Sequence, residues 1–319
     1  MRKGKHLLNI FYDKGIFVES RGRRVLIDPV GLPRKKPDVV LISHAHRDHC
    51  NKRVIQSLNV PIILSEATRD FLGLQASSNH IIVSPGEQVE VGGLQIEAHN
   101  AGHILGSLQF RISLDKSVVY TGDFNFEPRI ILNPADILKA DVLIVEATYG
   151  HPRYVFPPRR ELYPQLVEMV LKLLSEGLMV TLAARPLGVS QELTAVLSLS
   201  KVSVPIVHEK IWRYNVLYEK YGENLGRYLV YHSEKYVREK PLIAPLTVKR
   251  NKITCTGWSV TSRHGIPLSS HSDFKGIVRY VRKSQAEEIY TVYGFSKFLA
   301  EYLERELGMP STPLERSNR

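Results

Sequence analysis

The stretch Ser43-His44-Ala45-His46-Arg47-Asp48-His49 constrains this chain more than any other. Three imidazoles and one carboxylate fall within residues 44–49, directly after the apolar run Asp38-Val39-Val40-Leu41-Ile42. Nitrogen and oxygen donors packed this densely suit a borderline-soft divalent metal such as zinc. Side chains of an extended segment alternate with period 2, so His44 and His46 point to the same side. Asp48 and His49 lie just beyond, where the backbone should turn, and are placed to aim at a second metal position. A polar loop whose histidines merely pack is the plainer alternative, and four donors at this spacing argue against it.

Other apolar runs also end in chemistry. Arg24 to Ile27 ends at Asp28, Ser117 to Thr121 at Gly122-Asp123, and Asp141 to Val145 at Glu146. For Asp28, which precedes Pro29, a turn role is the competing reading. The recurrence suggests polar residues delivered to one edge of a sheet layer, where loops build a site on a rigid frame. Gly102 and Gly106 free the backbone around His103 to place it sharply. A hairpin is expected over Val89 to Glu97, with alternation on both sides of Gly92-Gly93.

After Glu146 the character changes. The Pro- and Arg-rich connection His151 to Arg160 reads as a boundary. A helix follows over about 161–176, then a strand, the loop Arg185 to Glu192 and another helix. Strand, Gly-containing loop and helix can hold phosphate on backbone N–H groups, although ordinary connections look the same. The strand–helix alternation runs on to Trp258. Ser269-Ser270-His271-Ser272-Asp273 then precedes a helix from Phe274, a strand over 288–293 and an amphipathic helix over 296–307. The residues from about Ser311 are expected to be loose.

Composition adds three bounds. At 319 residues the chain forms one large domain or two moderate ones. The net charge of +11, from 43 Lys plus Arg against 32 Asp plus Glu, favours a polyanionic partner, nucleic acid being the commonest. A generally basic, solvated surface explains the charge equally well, since no compact Lys/Arg run exists. The basic first residues lead only into a short apolar stretch broken by Asn9, Asp13 and Lys14, neither signal peptide nor membrane span. Cys50 and Cys255 form no CxxC pattern and read as small buried hydrophobes in a reducing, cytoplasmic compartment.

Taken together, HAHRDH at 44–49, AGHILGS at 101–107, TGDF at 121–124, EATYG at 146–150 and SSHSDF at 269–274 resemble the metallo-β-lactamase superfamily, specifically its β-CASP nuclease branch. The resemblance covers nearly the whole chain, with the motifs in the branch's order. It implies an α/β four-layer αββα sandwich built from residues 1–150 and 264–319, with a smaller inserted α/β cap at 151–263. It further implies that His44, His46 and His103 bind a first metal, Asp48 and His49 a second, and that Asp123 bridges them. Asp28 would support the metal loop from behind. Glu146 and His271 would act near the leaving group. The stretch containing Gly188, Ser190 and Gln191, together with Ser270, would approach substrate phosphate.

One departure matters. RNA-processing members usually place a His on the strand before the last helix, where this chain has Val292-Tyr293-Gly294. A phenol of pKa about 10 is a poor replacement ligand, so the second metal position is expected to be weak. Artemis-like and cross-link repair members also lack that His, and Thr256-Gly257-Trp258 looks like their sequences, yet Glu146 fits the RNA-processing pattern. The expected function is therefore zinc-dependent hydrolysis of single-stranded RNA or DNA, leaving 5′-phosphate and 3′-hydroxyl ends, with Mn2+ or Mg2+ acceptable at the second position. Asp48 and Asp123 would orient the attacking water, and His271, polarised by Glu146, would protonate the leaving oxygen. Scattered cap cations (Arg153, Arg159, Arg160, Arg185, Arg213, Lys249, Arg250, Arg263) would track the backbone. Tyr149 and Trp258 are candidates to stack bases, with core packing the plainer role. A homodimer is compatible with these expectations and a membrane partner is not. The rival readings are a small-molecule hydrolase of the same superfamily and a catalytically weak scaffold subunit of a nucleic-acid processing complex.

Overall fold

The structure, a computed structural model, describes residues 8–201, 203–231, 240–262 and 265–315. Arg263, one of the expected cap cations, lies outside them. The first sheet runs in the order β1 (Asn9–Tyr12), β2 (Ile16–Ser20), β3 (Arg23–Ile27), β4 (Val39–Leu41), β5 (Ile62–Leu64), β6 (His80–Ile82). The first three strands pair antiparallel and the rest parallel, with α1 (Lys52–Ser57) and α2 (Glu66–Leu72) as crossovers. The second sheet opens with the antiparallel β7 (Gln88–Val91), β8 (Leu94–Asn100), β9 (Leu108–Ser113) and β10 (Ser117–Tyr120), then turns parallel at β11 (Val142–Glu146).

A third, all-parallel sheet follows. Its elements are α3 (Arg159–Ser175), β12 (Thr181–Ala184), α4 (Val189–Leu199), β13 (Ile206–Val207), α5 (Glu209–Lys220), β14 (Leu229–Val230), β15 (Leu242–Pro245), β16 (Ile253–Cys255) and β17 (Gly265–Ile266). The chain then returns to the second sheet with α6 (Phe274–Ser284), β18 (Glu288–Val292), α7 (Ser296–Leu307) and β19 (Ser311–Leu314), β18 lying beside β11. The last strand of the third sheet thus follows the boundary expected at 263.

Period-2 alternation explains the layering. In the first sheet Ile16, Val18, Val25, Ile27, Val39 and Leu41 face one core, while Phe17, Leu26, Val40 and Ile42 face another with Ile55 of α1. In the second sheet Val142 and Ile144 join that first core, while Leu143 and Val145 pack against Ile277, Tyr280 and Val281 of α6 and Leu299 of α7. The two sheets therefore stack face to face with helices outside, the αββα order expected. The third sheet has its own core, which includes Leu162, Val170, Leu182, Leu193, Ile211 and Ile243.

The expectation of a loose end at Ser311 is corrected. Ser311 to Leu314 pairs in parallel with Ile289 to Val292, and Leu314 is buried. Pro313 is tolerated because the strand lies at the sheet edge, where one row of N–H groups needs no partner.

Candidate metal centre

Parallel pairing of β3 with β4, of β10 with β11 and of β11 with β18 sends their C-terminal ends to common edges. Asp28 follows β3, His44 follows β4, Asp123 follows β10, Glu146 ends β11 and Tyr293 follows β18. The topology thus supplies the clustering that the motif positions imply.

His44, His46, His103 and Asp123 are all buried and offer donor atoms within 4.8 Å of one another. Hydrogen bonds at the back of each ring fix which nitrogen faces forward. The His103 Nδ1–H donates to the Ser270 carbonyl at 3.0 Å, leaving Nε2 with its lone pair. The His46 Nε2–H donates to the Leu187 carbonyl at 3.1 Å, leaving Nδ1, which lies 3.0 Å from His103 Nε2. His44 Nδ1 is 2.9 Å from the Ser43 hydroxyl, and its Nε2 has no hydrogen-bond partner among the described residues. Asp123 Oδ2 lies 3.4 Å from His44 Nε2 and 3.6 Å from His103 Nε2, and its buried Oδ1 has no aligned hydrogen bond among the described residues, only His49 Nε2 at 3.1 Å. Buried polar atoms are normally paired, so forward-facing orphans held by a rear hydrogen-bond shell fit a bound cation. Burial lowers His44, and burial with the Arg185 charge holds His46 well below its ordinary value. Burial and the neighbouring His271 do the same to His103. All three are thereby kept neutral, as metal ligation requires.

His49 sits beside this set. Its Nδ1 is 2.9 Å from Asp28 Oδ2 and its Nε2 is 3.1 Å from Asp123 Oδ1. Burial opposes a charge on His49, but Asp123 and Asp28 outweigh it and raise the ring well above its ordinary value. Asp28 accepts four hydrogen bonds, from the Ser43 N–H (2.7 Å), the Ser43 hydroxyl (2.6 Å), the Tyr120 hydroxyl (2.7 Å) and His49. It supports the loop from behind.

Asp48 is exposed, and Arg185, directly after β12 of the third sheet, donates to its Oδ1 at 2.6 Å. Burial raises this carboxyl, while Arg185 and His49 prevail and lower it. Among the described residues it joins none of the donor clusters, although it lines the same cleft.

Tyr293 occupies the other flank. Its ring centroid is 4.6 Å from that of His49 and its hydroxyl is 3.4 Å from that of Tyr120. Burial and the Asp28 charge push its phenol well above the ordinary value, which keeps it protonated. Its φ of 64° is unusual for a bulky residue and stores about 1–3 kcal/mol.

The third cluster joins Asp123, Glu146 and His271. His271 Nδ1 lies 2.9 Å and 3.1 Å from the two Glu146 oxygens, and its Nε2 is 3.7 Å from Asp123 Oδ2. Burial alone would lower His271, but Glu146 and Asp123 prevail and raise it.

Asp48, His49, Asp123, His271 and Tyr293 line a cleft of about 800 Å³, with Tyr149, Arg185, Thr256, Trp258, Ser270 and Lys297. The cap loop behaves differently from expectation. Ser190 and Gln191 are buried and do not face the cleft. The Ser190 hydroxyl donates to the Arg185 carbonyl at 2.8 Å, and Gln191 Oε1 accepts the Gly188 N–H at 2.7 Å. That N–H is therefore capped by the helix's own side chain. Tyr149 is buried against Tyr154, Phe156 and Trp258, as core packing would have it, whereas Trp258 is 46% exposed. Both cysteines are free and buried.

Sequence reasoning missed three supports. Tyr120 carries Asp28. The Asn125 amide donates to the carbonyls of Ser269 (3.3 Å) and His271 (3.0 Å). Arg129, Arg159 and Glu192 form a buried charge network between α3, α4 and the His103 loop. The Asn125 motif neighbourhood was visible, but nothing local pairs the three charges.

Residues 13–151 match the family model described as a beta-lactamase superfamily domain. A probable DNA ligase of Opitutus terrae is 26% identical over 300 residues, covering 87% of this chain and 29% of the ligase. An RNase J-like protein of Methanocaldococcus jannaschii is 32% identical over 211 residues, covering 57% of this chain and 50% of its own length. The chain thus spans half or less of these relatives. The crystal structure of a protein of unknown function from Enterococcus faecalis V583 superposes with a TM-score of 0.62 at 13% identity, covering 97% of both chains. No described helix is long and apolar enough to cross a membrane.

Proposed function

Since the chain belongs to the metallo-β-lactamase superfamily, in its β-CASP branch, we propose that it is a metal-dependent nuclease. It hydrolyses phosphodiester bonds of single-stranded RNA or DNA and leaves 5′-phosphate and 3′-hydroxyl ends. The observation that carries this reading is the Glu146–His271 pair, 2.9 Å apart and set beside Asp123 at the edge of the donor cluster. Such a pair is a general acid with its own charge partner, the part that a phosphodiester leaving group needs.

His44, His46, His103 and Asp123 would hold the first divalent metal, for which the three imidazoles favour zinc. His49 and Asp123, with Asp48, would hold a weaker second. A cation there supplies Lewis acidity toward water and phosphoryl oxygens. The chain's own side chains do the rest. Asp28 fixes the His49 ring, and the carbonyls of Leu187 and Ser270 fix His46 and His103. Asp123 holds its carboxylate toward the cleft. Glu146 keeps a proton on His271, whose Nε2–H is given to the departing 3′ oxygen. Arg185, paired with Asp48 at the cleft mouth, stands ready to meet a phosphate. Residues 151–263 serve as the inserted cap, and the two free, buried thiols suit a reducing, cytoplasmic setting.

The test is metal per chain by elemental analysis, followed by cleavage of end-labelled single-stranded RNA and DNA. His46→Ala should lose both metal and cleavage. His271→Ala should keep the metal and lose cleavage. Full cleavage by His46→Ala would sink the metal mechanism, and hydrolysis confined to small esters would sink the nuclease reading.

A further inference from the structure

The site described above leaves α6 unexplained. This helix starts directly after the His271 loop, with Asp273 as its N-cap. Phe274, Ile277, Tyr280 and Val281 are buried. The opposite side carries Lys275, Arg279, Arg282 and Lys283, all exposed. Their spacing of i, i+4, i+7 and i+8 puts them on one face. Surfaces usually intersperse both signs, and this stripe holds one. Among the described residues none of the four makes a salt bridge. The acid closest in sequence, Asp273, spends its oxygens on the backbone N–H groups of Gly276 (2.8 Å) and Phe156 (3.1 Å).

Helix stability explains half of the stripe. Arg282 and Lys283 lie in the last turn, where cations complement the helix dipole. Lys275 lies in the first turn, which contains no acid, and there a cation opposes the dipole. Arg279, mid-helix, gains nothing from either end. The stripe also borders two surface depressions. One, of about 530 Å³, has Val155, Phe274, Val278 and Tyr302 in its walls beside all four cations. The other, of about 340 Å³, shares Lys275 and Arg279 with it and extends to His271. Cations above an apolar and aromatic floor match a nucleic-acid strand, with phosphates on the charges and sugars or bases on the floor.

We propose that this face of α6 is a backbone track for nucleic acid extending beyond the scissile bond. Lys275 to Lys283 spans about 12 Å at 1.5 Å per residue. A stacked strand presents a phosphate about every 3.4 Å, so the stripe meets roughly three of them. The inference rests on the nuclease reading above and adds where a long substrate lies.

The experiment uses the full-length, metal-loaded protein and a fluorescein-labelled 20-nucleotide oligothymidylate with phosphorothioate linkages. Anisotropy is measured from low to moderate salt for wild type and for a variant with Lys275, Arg279, Arg282 and Lys283 all replaced by Gln. Each lost phosphate contact reduces the slope of log K against log salt by about 0.7. The variant should therefore lose about 2 to 3 from that slope and bind at least ~10-fold more weakly at low salt. A four-nucleotide probe should lose far less. An unchanged slope, in a variant with the wild-type thermal midpoint, overturns the track. If the fourfold variant does not fold, Lys275→Gln with Arg279→Gln should still lose about 1 to 1.5, and no loss overturns the proposal equally. Cleavage by wild type with an unaltered slope in the variant sinks the track alone. A wild-type protein that neither cuts nor binds the strand sinks the nuclease reading with it.

Discussion

Glu192→Ala should weaken the cap and the metal centre together. Glu192 is fully buried on α4. It accepts from Arg159 Nε at 2.6 Å, from Arg129 Nη1 at 3.4 Å and from the Tyr163 hydroxyl at 2.7 Å. Arg129 is itself fully buried and also donates to the His103 carbonyl at 2.9 Å. Arg159 retains Glu127 when Glu192 is removed, whereas Arg129 keeps no other carboxylate at salt-bridge distance among the described residues, only the more remote charge of Glu223. Removing one partner of a buried ion pair costs about 3–5 kcal/mol because the other charge is left uncompensated. At roughly 2–4 °C per kcal/mol for a domain of this size, the midpoint should fall by roughly 6–20 °C. Both tryptophans, Trp212 and Trp258, lie within the third-sheet region, so fluorescence follows the cap while circular dichroism follows the whole chain. The fluorescence transition should move first. Affinity for a divalent metal should fall by about 10–100-fold as the support behind His103 loosens.

The pH dependence of this network has a defined sign. Burial pushes the Glu192 carboxyl up, but Arg159 and Arg129 prevail and hold it below its usual value. A depressed carboxyl stabilises fully above the unfolded pKa of about 4.3 and loses that contribution as pH falls through the folded value. The gap between wild type and Glu192→Ala should therefore be full at neutral pH and close in acid. A neutral-pH difference under about 0.5 kcal/mol, the size of an ordinary surface change, would refute the argument.

Two further outcomes are expected. Glu146→Gln removes the charge that raises His271 against the burial lowering it, so kcat should fall by about 10²–10⁴-fold. Since the acid must be protonated, the alkaline limb of the pH–rate profile should also move to lower pH, and an unmoved limb would contradict the assignment. Tyr293→His puts an imidazole where a buried phenol now lies 4.6 Å, ring to ring, from His49. Metal content should rise from about one toward two per chain, and constant stoichiometry would show that Tyr293 is not what limits the second position.

What could be read from the sequence depended on whether the cause was local. The metal loop could be read because its donors are consecutive and follow an apolar strand. The strand faces were also legible, since Val39, Val40, Leu41 and Ile42 alternate between two cores with the period of the strand itself. By contrast, Ser311 to Leu314 resembles a tail because its strand character comes from β18 beside it. Glu192 reads as one acid on a helix, yet its partners sit 33 and 63 residues away and no spacing rule connects them. Ser190 and Gln191, expected to approach substrate phosphate, turn their side chains away from the cleft for a related reason. Their side chains close the loop's own backbone, a local competition that leaves the cleft to Arg185 and Ser270. Tyr293 lies between these cases. Its place in a strand-end pattern was visible, but only the fold shows that its phenol reaches Tyr120, which carries Asp28, which in turn orients His49. Asp28 also accepts from the Ser43 hydroxyl, which lies 2.9 Å from His44 Nδ1, so the single departure from the motif is joined by hydrogen bonds to both halves of the donor cluster.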